Sequence, residues 1–150
     1  MFLLYFHKMK KIIIVLLIIP LIFSCEKDEV LSQCSYLANI GVNYEVNLNL
    51  PQYNQLNFIS NSVHIPNIGN GGVIVTNSGT GYLAWDASDP NHINNTCSIM
   101  VITGLESKCN CPDENSYSLI TGQSLGIALE CGLKAYRVEV NGNNLFISNL

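Results

Sequence analysis

Cysteine has the most varied chemistry in this chain, since a thiol can bind a metal or be oxidised to a disulfide. Six cysteines occur among the 150 residues. Cys109 and Cys111 are separated by one residue, too closely to pair comfortably with each other, so each needs another partner. Cys97, twelve residues before Cys109, is the obvious candidate. The spacing leaves open which thiol it takes, and the other would be free or bound to a metal.

The first 25 residues carry the pattern of an export signal. A basic start is followed by an uninterrupted apolar run over residues 12–23, which closes on Ser24-Cys25. The run is shorter than the ~20 apolar residues that a spanning helix needs, and it contains Pro20. This order is typical of a secretory signal peptide, for which Met9 is a more usual start than Met1. Ser24-Cys25 resembles the lipobox of bacterial lipoproteins, so we expect lipidation of Cys25; an ordinary signal peptide is the alternative.

Removal of a signal peptide at residues 1–24 leaves enough chain for one domain. Residues 25–150 hold all 11 acidic residues but only four basic ones, a formal charge of −7. We expect residues 25–39 to be the lipid anchor and tether, and residues 40–150 to be a β domain. Because no basic patch remains, we expect neither nucleic acid nor anionic lipid headgroups as partners. The membrane would be bound through acyl chains on Cys25.

The charged stretch 26–29, Glu-Lys-Asp-Glu, follows the anchor directly. It is similar to the export signals of Bacteroidetes lipoproteins, so we expect an outer-membrane lipoprotein displayed on the cell surface. A solvated tether is the other interpretation. An exported location permits disulfides. Five cysteines remain once Cys25 takes its lipid, so at least one thiol is free, metal-bound or paired outside the chain.

Alternation of apolar and polar residues begins at Val42. The segment 42–50 alternates strictly over nine residues, which indicates a strand with one buried and one wet face. Residues 73–76 are apolar enough for burial on both faces, and residues 141–144 are a strong hairpin signal. No apolar pattern at helical spacing exceeds one turn, so we expect an all-β antiparallel sandwich or small barrel. The predicted strands are 42–50, 62–65, 73–76, 82–85, 98–103, 107–110, 117–120, 136–140 and 145–148.

Two cysteine-bearing segments resemble the boxes of Rieske [2Fe-2S] domains. In that family Cys-x-His, with another cysteine a few residues on, is followed after about fifteen residues by Cys-x-Cys-His. Here segment 84–97 begins with Ala-Trp-Asp, which is similar to the family's lead-in to the first box, and ends at Cys97. Segment 109–112 reads Cys-Asn-Cys-Pro, at the place of the second box. The Tyr and Thr-Gly of segment 117–122 and the closing strand 133–138 also match. The resemblance covers roughly residues 40–150 and implies a Rieske-like fold.

The resemblance also implies a site and a pairing of cysteines. Residues 88–122 would be the former cluster-binding subdomain. In many members the two box cysteines that do not bind the cluster form a disulfide, and these positions fall on Cys97 and Cys111. In the same hypothesis Cys34 pairs with Cys131 and ties the N-terminal arm to the domain.

The four ligand positions depart from the family pattern. Two cysteines and two histidines hold the cluster in Rieske domains. In this sequence Asp89 stands at the first cysteine position and Asn91 at the first histidine position. His92 follows one residue after that position. Cys109 keeps the second cysteine position, while the second histidine is Pro112. We therefore expect that the cluster has been lost.

The same assignment leaves the Cys109 thiol near His92 and Asp89. Thiolate, imidazole and carboxylate all suit zinc, so these residues are candidate ligands for a single zinc or iron ion. A loop histidine beside an unpaired thiol is the simpler interpretation. His64, in a predicted strand, is expected to be a half-buried histidine with a hydrogen-bond partner.

No catalytic arrangement stands out, because no strand-turn-helix elbow surrounds any serine and no nucleophile has an evident base. We expect a membrane-anchored envelope lipoprotein with a degenerate Rieske-like domain, non-enzymatic and without a cofactor. Its role would be binding or structural, with an envelope protein as candidate partner. The alternative is an electron-transfer or oxidoreductase component that holds a [2Fe-2S] cluster through altered ligands. A mononuclear metal protein is a third interpretation.

Overall fold

The computed structural model describes residues Cys34–Leu150. The predicted signal peptide, the lipidation site Cys25 and the tether up to residue 33 lie outside the described residues. Within the described range no helix is long and apolar enough to cross a membrane. The one helical element assigned there is a 3-10 turn at Asn54–Asn57.

Ten strands form two antiparallel sheets. Their bounds are β1 Asn43–Asn47, β2 Ser62–Ile65, β3 Val73–Asn77, β4 Tyr82–Asp86, β5 Met100–Thr103, β6 Glu106–Cys109, β7 Ser116–Ser118, β8 Ser124–Leu125, β9 Ala135–Asn141 and β10 Asn144–Asn149. The larger sheet has six strands in the order β1-β10-β9-β4-β3-β2. The smaller sheet has the order β5-β6-β7-β8 and is inserted between β4 and β9 in sequence. The predicted all-β fold is confirmed.

The strand predicted at 42–50 is longer than the strand observed. β1 ends at Asn47, because the chain turns there and the Leu50 amide donates to the Asn47 carbonyl at 3.0 Å. Leu48 is buried in the core, whereas Leu50 is exposed. The alternation of buried and exposed residues therefore continues for one buried residue beyond the end of β1. β8 was missed, because two residues are too few to show a period.

β3 is buried on both faces, as its sequence predicts. Val73 and Val75 pack into a core formed with β1, β9 and β10, whereas Ile74 packs into a second core. The second core joins the two sheets, because residues of the smaller sheet such as Tyr117 lie in it. The indole of Trp85 adds a hydrogen bond to the Leu119 carbonyl at 2.9 Å.

The described end of the predicted tether, residues 34–39, is attached to the domain. Cys34 is bonded to Cys131, with 5.6 Å between their Cα atoms. The Ala38 amide donates to the Asn70 side chain at 2.8 Å, and its carbonyl accepts from the Lys134 ammonium at 2.9 Å. The described part of the predicted tether is therefore held against the domain.

Candidate functional site

Two loops meet at one end of the smaller sheet. The first follows β4 and runs to β5, and the second joins β6 to β7. Their backbones are joined directly, because the Asn110 amide donates to the Cys97 carbonyl at 3.0 Å. A disulfide between Cys97 and Cys111 reinforces the contact, with 4.9 Å between their Cα atoms. The structure thus brings together the two segments that resemble the Rieske boxes.

Asp89, which the sequence resemblance aligns with the first cluster cysteine, is fully buried between these loops. Its Oδ1 accepts hydrogen bonds from the Tyr117 phenol and from the Asn91 amide, the latter at 2.9 Å. Its Oδ2 accepts from the Asn115 side-chain amide at 2.9 Å. Burial of a carboxylate is costly unless its oxygens are hydrogen-bonded. Both oxygens have partners here, which explains how an acid is tolerated at this position.

Asn91, at the position of the first cluster histidine, extends the network to the second disulfide. Its Nδ2 donates to the Tyr117 hydroxyl at 2.9 Å and to the Cys131 carbonyl at 2.7 Å. Its Oδ1 accepts from the Cys131 amide at 3.0 Å. Both polar atoms of the Asn91 side chain therefore have hydrogen-bond partners within the protein.

Cys109 is a buried thiol, 1 % exposed. Its Sγ lies 3.5 Å from the Cys97 carbonyl and accepts from the Cys111 amide at 3.4 Å. Burial raises the pKa of the thiol to about 11; the Asp89 charge adds to this rise and the Cys111 amide opposes it. Cys109 is consequently a protonated thiol at neutral pH and not an activated nucleophile.

The predicted zinc or iron set of Cys109, His92 and Asp89 is not assembled as a ligand group. Within residues 34–150, the donor sets whose atoms all lie within 4.8 Å of one another are different ones. They are His92 with Cys97 and Cys111, and Cys109 with Cys111 and Asp113. The imidazole Nδ1 of His92 lies 3.0 Å from the Ile93 carbonyl, while Asp89 is engaged by Tyr117 and its neighbours. The loop places the His92 imidazole beside the disulfide, in no such set with the Asp89 carboxylate.

A [2Fe-2S] cluster does not fit the residues at the four ligand positions. Such a cluster needs four donors, and in Rieske domains these are two thiolates and two imidazoles. Asp89 and Asn91 are occupied by hydrogen bonds, and Pro112 has no donor atom. Only Cys109 remains, because the sulfurs of Cys97 and Cys111 are bonded to each other.

A second buried carboxylate, Asp86, ends the Ala-Trp-Asp lead-in of the resemblance, but sequence reasoning assigned it no role. Its Oδ2 accepts from the Tyr136 phenol at 2.7 Å and from the Asn70 backbone and side-chain amides at 2.9 and 2.8 Å. Its Oδ1 accepts from the amides of Gly71 and Ser88 at 3.2 and 3.0 Å. Asp86 thus holds the loop at Asn70 and Gly71, between β2 and β3, against β4. A polar residue ending an apolar strand was the available signal.

His64 is half-buried, as predicted, with its Nε2 2.9 Å from the Gly71 carbonyl. Among the described residues, no buried side-chain nitrogen or oxygen lacks a hydrogen-bond partner. The buried polar side chains of this part of the chain are therefore satisfied by the protein itself.

No protein-family model matches the chain, and no curated protein matches it. Three similar solved structures are described as a ferredoxin and two nitrite reductase small subunits. The ferredoxin of carbazole 1,9a-dioxygenase from Nocardioides aromaticivorans IC177 is 18% identical with a TM-score of 0.49, and the match covers 74% of this chain and 99% of that chain. A chain assigned as the small subunit of an NADH-dependent nitrite reductase from Mycobacterium tuberculosis is 16% identical with a TM-score of 0.44, and the match covers 75% of this chain and 98% of that chain. A chain assigned as the small subunit of an NADPH nitrite reductase is 24% identical with a TM-score of 0.40, and the match covers 69% of this chain and 97% of that chain.

The chain's own architecture agrees with the resemblance in its sequence. The smaller sheet spans residues 100–125 and carries both loops, where the resemblance implies a subdomain at residues 88–122. The disulfide Cys97–Cys111 joins the loops, and Cys109 lies buried between them. The chain has an all-β fold of two antiparallel sheets, and one of the four positions that the resemblance assigns to cluster ligands keeps its residue type.

Proposed function

We propose that this chain is an exported bacterial lipoprotein whose Rieske-like domain has exchanged its cluster for protein contacts. In this proposal the domain has a binding or structural role in the cell envelope and no catalytic one. The observation that carries the proposal is the hydrogen-bonded network around Asp89, which occupies the place of a cluster ligand and satisfies both carboxylate oxygens.

The hydrogen bonds around Asp89 join the two loops, as the ligands of a bound cluster would. A bound cluster joins two loops through its four ligands. Here Asp89 and Asn91 on the first loop bind Asn115 and Tyr117 in and after the second loop. The Cys97–Cys111 disulfide adds a covalent link, which stabilises the fold by about 3 kcal/mol for a loop of this size. The loops are therefore braced without a metal.

The covalent structure supports an oxidising compartment. Disulfides persist in exported proteins and are rare in the cytosol. The described residues contain two, Cys34–Cys131 and Cys97–Cys111. Together with Ser24-Cys25 and the charged stretch at 26–29, they favour an outer-membrane lipoprotein facing the cell surface. Its partners would be the membrane, through lipid on Cys25, and an envelope protein; the formal charge of −7 disfavours nucleic acid.

The decisive measurement is the iron and acid-labile sulfide content of protein purified without oxygen. We expect neither element in stoichiometric amount and no visible absorption. Two irons and two sulfides per chain would overturn the non-redox role and restore the electron-transfer alternative.

The anchor is tested separately with Cys25→Ala, using metabolic labelling with a fatty acid and membrane fractionation. We expect the unchanged chain to carry label and to sediment with the outer membrane. Cys109→Ala is the matched control, because it removes a buried thiol outside the signal. Equal labelling of the Cys25→Ala chain would contradict lipidation at this residue.

A further inference from the structure

We propose that the reduced protein binds one Zn²⁺ through Cys97, Cys109, Cys111 and His92. In this site the two sulfurs that form the loop disulfide become metal ligands. It differs from the candidate set of Cys109, His92 and Asp89, because Asp89 is not a ligand. It also differs from a Rieske site, which leaves the disulfide cysteines unused.

The ligand atoms are already close together. Those of His92, Cys97 and Cys111 lie within 4.8 Å of one another, and the Cys109 and Cys111 sulfurs obey the same limit. Zn–S bonds of ~2.3 Å in a tetrahedral site place ligand atoms about 3.8 Å apart. Cys111 belongs to both groups, whereas Cys109 shares no such group with His92 or Cys97. The site therefore requires opening of the disulfide and a closer approach of the Cys109 sulfur to His92 and Cys97.

The backbone holds these residues in place without the disulfide. The Asn110 amide donates to the Cys97 carbonyl at 3.0 Å, and the Cys109 amide donates to the Asn115 carbonyl at 2.8 Å. Asp89 adds a hydrogen bond between its amide and the Ser98 carbonyl at 2.9 Å. The cysteines therefore stay adjacent after reduction, which lowers the cost of organising a site.

The histidine makes the kind of hydrogen bond that metal-binding histidines usually make through the other ring nitrogen. Its Nδ1 lies 3.0 Å from the Ile93 carbonyl, so a proton on Nδ1 is donated there. The tautomer with a proton on Nδ1 leaves the lone pair of Nε2 free for the metal. Three thiolates and one imidazole form a common closed set for structural zinc.

The reductant in this proposal is a dithiol. Its thiolate attacks Sγ of Cys97, the half-exposed partner, while Cys111 leaves as a thiolate. The second thiol of the reductant then displaces Cys97 and closes its own disulfide. Two electrons pass to the cysteine pair in this exchange. Binding of Zn²⁺ afterwards releases the protons that remain on the three thiols.

The oxidised protein lacks two of the four donors, so zinc affinity reports the redox state of the loop. Bound zinc in turn protects the reduced state from reoxidation, because the thiolates are shared with the metal. A domain outside the cytoplasm would thus hold zinc only where a thiol reductant reaches it.

The test measures zinc binding by the full chain, before and after treatment with dithiothreitol that is removed anaerobically. Competition with a chromophoric chelator gives the affinity, and Co²⁺ substitution reports thiolate-to-cobalt charge transfer. We expect one Zn²⁺ per reduced chain and none per oxidised chain. Equal binding by both forms, or no binding by the reduced form, would overturn the proposal.

Variants assign the ligands. His92→Ala and Cys109→Ser should each weaken zinc binding at least tenfold, about the lower limit seen when supporting residues around zinc are changed. Asp113→Asn is the matched control, since Asp113 lies beside Cys109 and Cys111 but is not a proposed ligand. Loss of zinc in Asp113→Asn with retention in His92→Ala would refute the ligand set.

Reduction also opens the other disulfide, so a second control is needed. Cys34→Ser/Cys131→Ser lacks those thiols and should still bind one Zn²⁺ when reduced. If reduction disturbs folding, zinc should restore the native Trp85 fluorescence of this variant. Failure to restore it, or loss of zinc binding in the variant, counts against the proposal.

Discussion

The Tyr117 phenol donates a hydrogen bond to the Asp89 carboxylate, although the two residues are 28 positions apart. Both side chains are fully buried. Burial raises the pKa of Tyr117, and the hydrogen bond to Asp89 raises it further, so the phenol stays protonated and remains a donor. This contact joins β7 to the loop after β4.

Removal of this donor should destabilise the domain. Tyr117→Phe leaves the Asp89 and Asn91 side chains each without one partner, and an unsatisfied buried group costs about 1–3 kcal/mol. Urea unfolding of the oxidised protein measures the loss. Tyr82→Phe, at a half-buried tyrosine of the larger sheet, is the control and should change stability by less than about 0.5 kcal/mol. Equal losses would show that the hydroxyl network contributes little.

Cys109 should be unreactive while the domain is folded. Its sulfur is buried, and its pKa of about 11 keeps it protonated, so iodoacetamide should not modify it at pH 7.5. Denaturation without reductant should expose it to alkylation, located by peptide mass spectrometry. Rapid labelling of Cys109 in the folded protein would contradict the burial.

Glycine at position 122 is required by both conformation and space. Its φ is +71°, and an added Cβ would lie 2.6 Å from Cζ3 of Trp85. A left-handed backbone alone is expected to lower the free energy of unfolding by about 1–3 kcal/mol. Gly122→Ala should therefore lower it by more than this. Gly126→Ala is the matched control, since its φ is +79° but nothing lies within 4 Å of the added Cβ. Thermal unfolding and Trp85 fluorescence should distinguish them, and equal losses would exclude a steric contribution.

The two disulfides should differ in their contributions to stability. Chain entropy predicts about 4.7 kcal/mol for a loop of about 100 residues and about 3 kcal/mol for one of about 15. Cys34 and Cys131 are separated by 97 positions, whereas Cys97 and Cys111 are separated by 14. Cys34→Ser/Cys131→Ser should thus lose more unfolding free energy than Cys97→Ser/Cys111→Ser in urea titrations. The reverse order would show that contacts local to the loops dominate.

Alkaline pH should weaken the fold through Tyr136. Burial, then the hydrogen bond to Asp86, raises the pKa of this phenol above its ordinary value of 10.0. The folded state therefore holds the proton more tightly, and its stability falls as pH rises above 10. Tyr136→Phe should reduce the slope of unfolding free energy against pH in that range. Tyr117 acts in the same direction, so some slope should remain; an unchanged slope would exclude Tyr136 as a contributor.

Local patterns predicted most of the strands because each depends on neighbouring residues. The alternation after Val42 indicates a strand with one buried face, and the apolar run at Val73–Thr76 indicates a strand buried on both faces. The ends of strands were less accurate, since β1 stops where the turn at Asn47 begins. β8 pairs only two residues of β7, and no local pattern marks so short an element.

The sequence by itself determined the class of fold, the cysteine chemistry open to the chain and the residue types at the positions that resemble cluster ligands, because residue type alone decides whether a donor atom exists. Pro112 has none in any fold. Only the tertiary structure decided what the side chains at these positions contact. Asp89 meets Tyr117 and Asn115 because two loops fold over one end of the smaller sheet. His92 is turned toward the disulfide for the same reason, since contacts between distant segments depend on packing and not on sequence spacing.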